Sequence, residues 1–273
     1  MGTFTIEQVR RVLDEGLKIG TVDNVYFEGG EPFLYYPLLI QSLKEAKNRN
    51  LKTGLVTNAY WANSPEDAEL WLKPLCEVGI DDLSISDDAF HQSEEGVNTA
   101  KIAKEAALKM GLPAASICIE KPAVEYPNKT RVDKGQPVIG GNARFKGRAA
   151  DKLIDGLPRR PVSEFTSCPD EELEKPGRVH VDPFGEVHIC QGLSIGNMWD
   201  TPLSDIIMNY NAGEHPVAGP LAKGGPLALA RKYNLKHEPD YVDACHFCFE
   251  IRRQLIDRFP QYLAPRQVYG LDE

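Results

Sequence analysis

Six cysteines in 273 residues are too few to build a small disulfide scaffold, so any clustering among them points to metal or redox chemistry. No run approaches the ~18 apolar residues of a helical membrane span. The start of the sequence lacks the charged-then-apolar plan of a secretory signal. Together these predict no membrane partner and a cytoplasmic location. Basic runs are missing too: the net charge is −9, spread without an acidic tail, and nothing argues for a nucleic-acid partner. Neither GxGxxG nor a GK[ST] phosphate loop occurs, which removes the common nucleotide-binding fingerprints.

What is present is a rhythm. Thr5-Ile6-Glu7-Gln8 has the form of a capping box, with Ile6, Val9, Leu13 and Leu17 at helical spacing and Gly20 as the stop. Residues 24–28 read as a strand closed by Gly29-Gly30, and 34–50 as a helix. A strand is expected at 52–57, then a helix opened by Ser64-Pro65 and carrying Leu70, Trp71, Leu75 and Val78 up to Gly79. A strand at 81–86, a helix at 93–110 and a strand at 114–120 complete the series. Strand and helix alternate every roughly 30 residues, the βαβ pattern of an α/β parallel sheet with helices outside. This periodicity fits an open doubly wound sheet and a barrel equally.

In such sheets ligands sit at the carboxyl ends of the strands. The expected loops there are EGGEPF after the first strand, Asn58 to Trp61 after the second, and Asp87 to His91 after the third. Gly29 and Gly30 let backbone approach a ligand with no Cβ in the way. Pro32 fixes the turn, and Glu31 with the nearby carbonyls offers acceptors to an ammonium group. A tight strand-to-helix turn explains the same residues.

Gly29-Gly30-Glu31-Pro32, then Thr57-Asn58, then SISDD at 84–88, in this order over about residues 5–150, together resemble the radical S-adenosylmethionine superfamily. The resemblance implies a partial (β/α)6-type parallel barrel over 1–150, lacking its first strand, followed by a small cysteine-bearing α+β extension over 151–273. It implies S-adenosylmethionine as cofactor, held by Gly29, Gly30, Glu31, Pro32, Thr57, Asn58, Ser86 and Asp87. Glu31 and the loop backbone would receive the methionine ammonium, Thr57 would contact the methionyl end, and Ser86 would bond ribose or methionyl oxygens. Gly147-Arg148-Ala149 resembles a segment that follows the last barrel strand in relatives with a C-terminal cluster domain. The family's CxxxCxxC, which binds the radical-generating [4Fe–4S] cluster, is absent; the first cysteine is Cys76. Cys76 and Cys118 read as inert core thiols. The sequence opens on the first helix, so a start placed too late, or a fragment, is expected, and the chain as written is not expected to form the 5′-deoxyadenosyl radical.

From 133 to 161 glycine, proline and charge increase, as at a last strand running into a linker. Beyond lie Cys168, Cys190 and Cys245-His246-Phe247-Cys248, with VHVDPFGEVHIC reading as a hairpin that delivers Cys190. A cysteine, a GxxxxC hairpin and a CxxC resemble the SPASM and twitch extensions, which carry auxiliary clusters. The resemblance implies one [4Fe–4S] centre on Cys168, Cys190, Cys245 and Cys248, since four thiolates suffice. Structural zinc is the alternative for the same four. His180, His188 and His246 are expected beside the ligands and not among them. Residues 211–239 read as a long proline- and glycine-rich loop, and Ile251, Leu255 and Phe259 as a closing helix stopped by Pro260. Two functions remain. One is a radical enzyme that takes electrons from a donor to modify an unidentified peptide, small molecule or cofactor precursor. The other is a non-catalytic metal-binding or electron-transfer scaffold.

Overall fold

The computed structural model describes residues 2–91, 97–125 and 138–271. The chain divides into two compact units, one of residues 3–121 and one of 122–273. The family resemblance puts the division at 150/151.

The first unit opens with α1 (Ile6–Ile19), whose Thr5 side chain and Gln8 form the reciprocal capping box, and which ends at left-handed Gly20. Strand β1 (Asn24–Phe27) leads through a 3-10 turn at Pro32–Tyr35 into α2 (Tyr36–Asn48). Next come β2 (Lys52–Thr57), α3 (Pro65–Val78), β3 (Asp82–Ser86), α4 (Thr99–Lys109) and β4 (Ala114–Ile117). The helix expected from 93 begins at Thr99, where Asn98 caps it; residues 92–96 lie outside the described residues. The four strands form one parallel sheet in the order β1-β2-β3-β4, as the strand–helix alternation required.

Register decides what each face carries. Phe27, Leu55, Leu83 and Ala114 lie in one row across the sheet. They pack with Leu39, Leu43, Leu72, Leu75 and Ala103 of α2, α3 and α4. The next rows, Tyr26, Gly54 and Asp82, then Val56, Ser84 and Ala115, project to the other side. Tyr26 covers Gly54 on that side, and toward β3 it turns polar, with the Ser84 hydroxyl donating to Asp82 at 3.0 Å. Ser86, beside Ile117 at the carboxyl end, shares it.

The second unit begins with the two-residue strands β5 (Val124–Glu125) and β6 (Val138–Ile139), paired antiparallel. The last barrel strand expected within 133–161 is therefore not found among the described residues, where the parallel sheet has four strands. Helix α5 (Arg148–Lys152) starts at Gly147, and β7 (Arg160–Pro161) pairs with β11 (Asp240–Tyr241). A three-stranded antiparallel sheet joins β8 (His180–Val181), β9 (Glu186–Cys190) and β10 (Leu193–Asn197). The hairpin turn falls at Asp182 to Gly185, where Gly185 has φ +92.

Two expectations are corrected. Residues 211–239 are not a long loop: α6 (Leu203–Asn209) is followed by α7 (Ala218–Tyr233). Its two pieces meet at a kink where Gly224 and Gly225 leave helical φ/ψ, and Pro226 restarts it. Burial of Leu221, Leu227, Leu229 and Ala230 holds both pieces. The closing helix α8 (Ala244–Arg253) ends six residues before Phe259. Among the described residues no helix is long and apolar enough to cross a membrane.

Candidate functional site

At the carboxyl end of β1 the chain turns through Gly29 at φ +98. Glu31 then caps the 3-10 turn, and Pro32 occupies its first position. Oε1 of Glu31 accepts from the Phe33 N–H at 3.1 Å and from the Thr57 hydroxyl at 2.9 Å, and Oε2 accepts from the Asn58 N–H at 2.7 Å. The Thr57 oxygen also accepts from Ala59 N–H and Trp61 Nε1–H, each at 3.1 Å. Trp61 in turn stacks on Phe33 with centroids 4.6 Å apart. The loops after β1 and β2 are thus joined through one buried carboxylate. Their tightness shows at Ala59, a buried alanine at φ 57.

Sequence reasoning gave both side chains to a ligand. Thr57, 1% exposed, spends its hydroxyl on three chain partners. Glu31 does the same with three, although a carboxylate offers about four acceptor sites and Oε2 keeps capacity for a donor. Gly30 faces open space: an added Cβ would meet no heavy atom within 4 Å. The chain itself thus leaves Gly30 uncovered on that side.

Ser86, the last residue of β3, is buried on the Ser84 side of the sheet, and Asp87 accepts from Asn98 Nδ2 at 3.2 Å. The Asp87 N–H donates to Ile117 O at 2.8 Å, tying this loop to the end of β4. Sequence reasoning missed Asp88, the more embedded acid of the pair. Its Oδ1 accepts from the Phe90 N–H at 3.0 Å and pairs with His91 Nδ1 at 2.8 Å, while Oδ2 accepts from Ile119 N–H at 3.3 Å. The acidic doublet was the available signal. Cys118 is a correction: β4 ends one residue before it, and the thiol is exposed instead of packed in the core. Cys76 is half-buried in α3, and burial raises its pKa.

In the second unit α8 begins with Asp243 accepting from the His246 N–H at 2.7 Å. This puts Cys245 and Cys248 one turn apart on the same helical face. Cys190 closes β9 opposite Leu193. Cys168 lies on the segment that follows Phe165, whose carbonyl accepts from Leu227 N–H just past the α7 kink. An added Cβ at Gly225 would run into Ser167 N and Thr166 C, so glycine lets this segment pass. All four cysteines line one pocket, together with Lys146, Asp170 and Arg252.

The pocket's electrostatics are unusual. The Cys248 thiol is pushed up to about 12 by burial and by the neighbouring Cys190 and Cys168, against the opposing charges of Arg252 and Lys146. Burial also raises Cys245, whose S–H donates to Asp170 Oδ2 at 2.9 Å. Lys146 Nζ lies 3.9 Å from Cys190 Sγ. Arg252 is 1% exposed, and its Nε–H has no acceptor. Among the described residues no three such side chains already converge on a common metal position. The donor set nevertheless fits a soft metal centre: four thiols, with a buried cation that lacks an anion. His246 does not line this pocket; its Nδ1 accepts from Val242 N–H at 3.4 Å and its ring packs on Tyr241.

No family profile matches the sequence. The chain is 27% identical over 189 residues to YydG of Bacillus subtilis (strain 168), a protein named for peptide biosynthesis, covering 67% of this chain and 59% of that one. It is 29% identical over 133 residues to the isethionate sulfite-lyase activating enzyme of Oleidesulfovibrio alaskensis (strain ATCC BAA-1058 / DSM 17464 / G20), covering 45% of this chain and 42% of the relative. The chain thus spans about three-fifths or less of the length of these relatives. Its fold resembles that of BtrN, whose crystal structure holds AdoMet and 2-DOIA, with a TM-score of 0.50 at 14% identity over 77% of this chain and 71% of BtrN. These similar proteins are radical S-adenosylmethionine proteins.

Proposed function

We propose that the chain binds S-adenosylmethionine on the carboxyl-end loops of its parallel sheet and holds one auxiliary [4Fe–4S] cluster in its thiol pocket, as a radical S-adenosylmethionine protein acting on a polypeptide or small-molecule substrate. One observation carries it: Gly29-Gly30-Glu31, Thr57-Asn58 and Ser86-Asp87 stand at the carboxyl ends of three strands that are neighbours in the sheet, β1, β2 and β3. This is where α/β sheets bind ligands. BtrN, of similar fold, was crystallised with AdoMet. The partial (β/α)6 barrel over 1–150, with the cysteine-bearing extension over 151–273, belongs to the same proposal.

Each residue group has a task in this reading. Gly29 and Gly30 clear space for the ligand's methionine end, and the spare capacity of Glu31 Oε2 and the loop carbonyls takes up its ammonium. Thr57 acts one step back by holding Glu31 in place. Ser86, on the polar face, offers a hydroxyl to ribose or carboxylate oxygens. Cys168, Cys190, Cys245 and Cys248 would hold the auxiliary cluster, which supplies one-electron transfer when bound. S-adenosylmethionine, on reduction, supplies a hydrogen-abstracting radical. The sequence carries no CxxxCxxC, so that step is assigned to no residue here. Both relatives' names point to polypeptide substrates, one through peptide biosynthesis and one through activation of another enzyme.

Anaerobic reconstitution with iron and sulfide tests the pocket. Wild-type protein is expected to take up about four irons per chain, and Cys245→Ala with Cys248→Ala to take up none. Zinc bound as purified, with no iron uptake, favours the scaffold reading. Calorimetry with S-adenosylmethionine tests the loops, where absence of binding overturns their assignment.

A further inference from the structure

Among the described residues, Arg252 is a buried cation with an orphaned N–H. It is among the largest side chains that are almost wholly buried, at 1% exposure. Nη1 donates to Gln191 O at 3.2 Å, the guanidinium lies 5.6 Å from the Tyr269 ring centre, and Nε–H has no partner. No carboxylate among the described residues lies within ion-pair distance of it. A buried ion without a counter-charge is strongly unfavourable, so a chain that keeps one has a use for it. The nearby acids do not answer: Asp170 is paired with Arg144 at 3.4 Å, and Glu171 with Arg144 and Arg178, each at 3.3 Å. Arg252 lines the pocket of the four cysteines, four residues after Cys248 and seven after Cys245, on their side of α8.

Lys146 is a second cation on the same wall. Its Nζ stands 3.9 Å from Cys190 Sγ and 4.0 Å from the already paired Glu171. Four thiolates around a [4Fe–4S] core in its resting oxidation level, or around zinc, make a dianion. Two cations match it.

We infer that Arg252 and Lys146 are the charge-compensating residues of an anionic thiolate centre, with the Arg252 Nε–H given its missing acceptor when that centre is bound. Both are positioning and tuning residues rather than ligands. The inference rests on the pocket reading above and deepens it. It makes the pocket selective for an assembly of net negative charge. It also raises the reduction potential of a cluster, because a nearby cation favours the more negative, reduced state.

The test compares Arg252→Gln and Lys146→Gln with wild type in metal-free and reconstituted full-length protein. In the reconstituted form both variants are expected to release iron to a chelator faster, Arg252→Gln by about tenfold or more. Both are also expected to have more negative midpoint potentials by EPR-monitored titration, with Arg252→Lys recovering most of the shift. In the metal-free form Arg252→Gln is expected to unfold at the same or a higher temperature, because it removes an unpaired ion. A purely structural arginine would destabilise both forms alike with no potential shift, and that result overturns the inference. If Arg252→Gln does not fold, Arg252→Lys and the more exposed Lys146→Gln decide by the same readings. Wild-type protein that binds neither iron nor zinc overturns the pocket reading and this inference together; wild-type loading with unaltered variants overturns this inference alone.

Discussion

The Thr57 hydroxyl donates to Glu31 Oε1 at 2.9 Å, and this bond across 26 residues of sequence fixes the loop after β2 to the loop after β1. Removing the hydroxyl strands three groups at once. In Thr57→Val, Trp61 Nε1–H and Ala59 N–H lose their acceptor and Glu31 loses a donor. The expected cost is about 2 kcal/mol, read as a lower urea midpoint at unchanged slope. A midpoint equal to wild type would show that the clamp is dispensable.

The adjacent glycines separate backbone need from ligand need. Gly29 sits at φ +98, where a side chain is disfavoured by about 1 kcal/mol, so Gly29→Ala is expected to lower stability. Gly30 has nothing within 4 Å of a would-be Cβ, so Gly30→Val is expected to leave the urea midpoint within error. Its affinity for S-adenosylmethionine, measured by calorimetry, is expected to fall at least about tenfold, the range of a lost close backbone approach. Unaltered affinity would return the segment to the status of a turn.

His215 predicts a pH dependence. Its buried imidazole accepts from Val217 and Ala218 N–H on Nδ1 at 3.1 and 2.9 Å, and Nε2–H donates to Ser194 O at 2.9 Å. Burial lowers its pKa; the bond to Ser194 opposes this, and the charge of Lys232 adds to it. A histidine depressed in the folded state contributes stability that is whole above its unfolded value of about 6.5 and is lost as pH falls through and below that value. The second unit is therefore expected to lose stability between about pH 7 and 5. His215→Gln is expected to flatten that slope, and chemical unfolding at both pH values checks it. Equal slopes in the two proteins would remove His215 as the cause.

Gly225 is expected to control Cys168 from a distance. It has φ +62 and lies against the backbone of residues 165–167. Gly225→Ala is expected to displace this segment and to reduce iron content after reconstitution, while Gly177→Ala, at a glycine with open surroundings, is not. Full loading of Gly225→Ala would show that the segment tolerates the shift.

Local signals carried most of the first unit. The caps at Thr5 and Ser64, Pro65, and the glycine stops at Gly20 and Gly79 all act within a few residues, and the structure uses each of them. The α7 helix was illegible because its glycine and proline content outweighed its periodicity; burial of Leu227 and Leu229 overrides that local preference. The Glu31–Thr57–Trp61 network has no short-range signature at all. Arg252 had one: 245, 248 and 252 fall on one helical face, a spacing visible once the CxxC was placed on a helix. β4 stops at Ile117, not at 120, because its pairing with β3 ends where Ser86 closes that strand.

Helix α8 gives two of the four thiols a fixed separation before any metal arrives. Their backbone ordering entropy is lost when the helix folds, so the proposed centre would meet two ligands already spaced by one helical turn. Cys168 and Cys190 come from a backbone segment and a hairpin end, and would complete the proposed coordination. A metal bound as proposed would meet the α8 pair with little further ordering, whereas Cys168 and Cys190 would have to be brought to it by the rest of the fold.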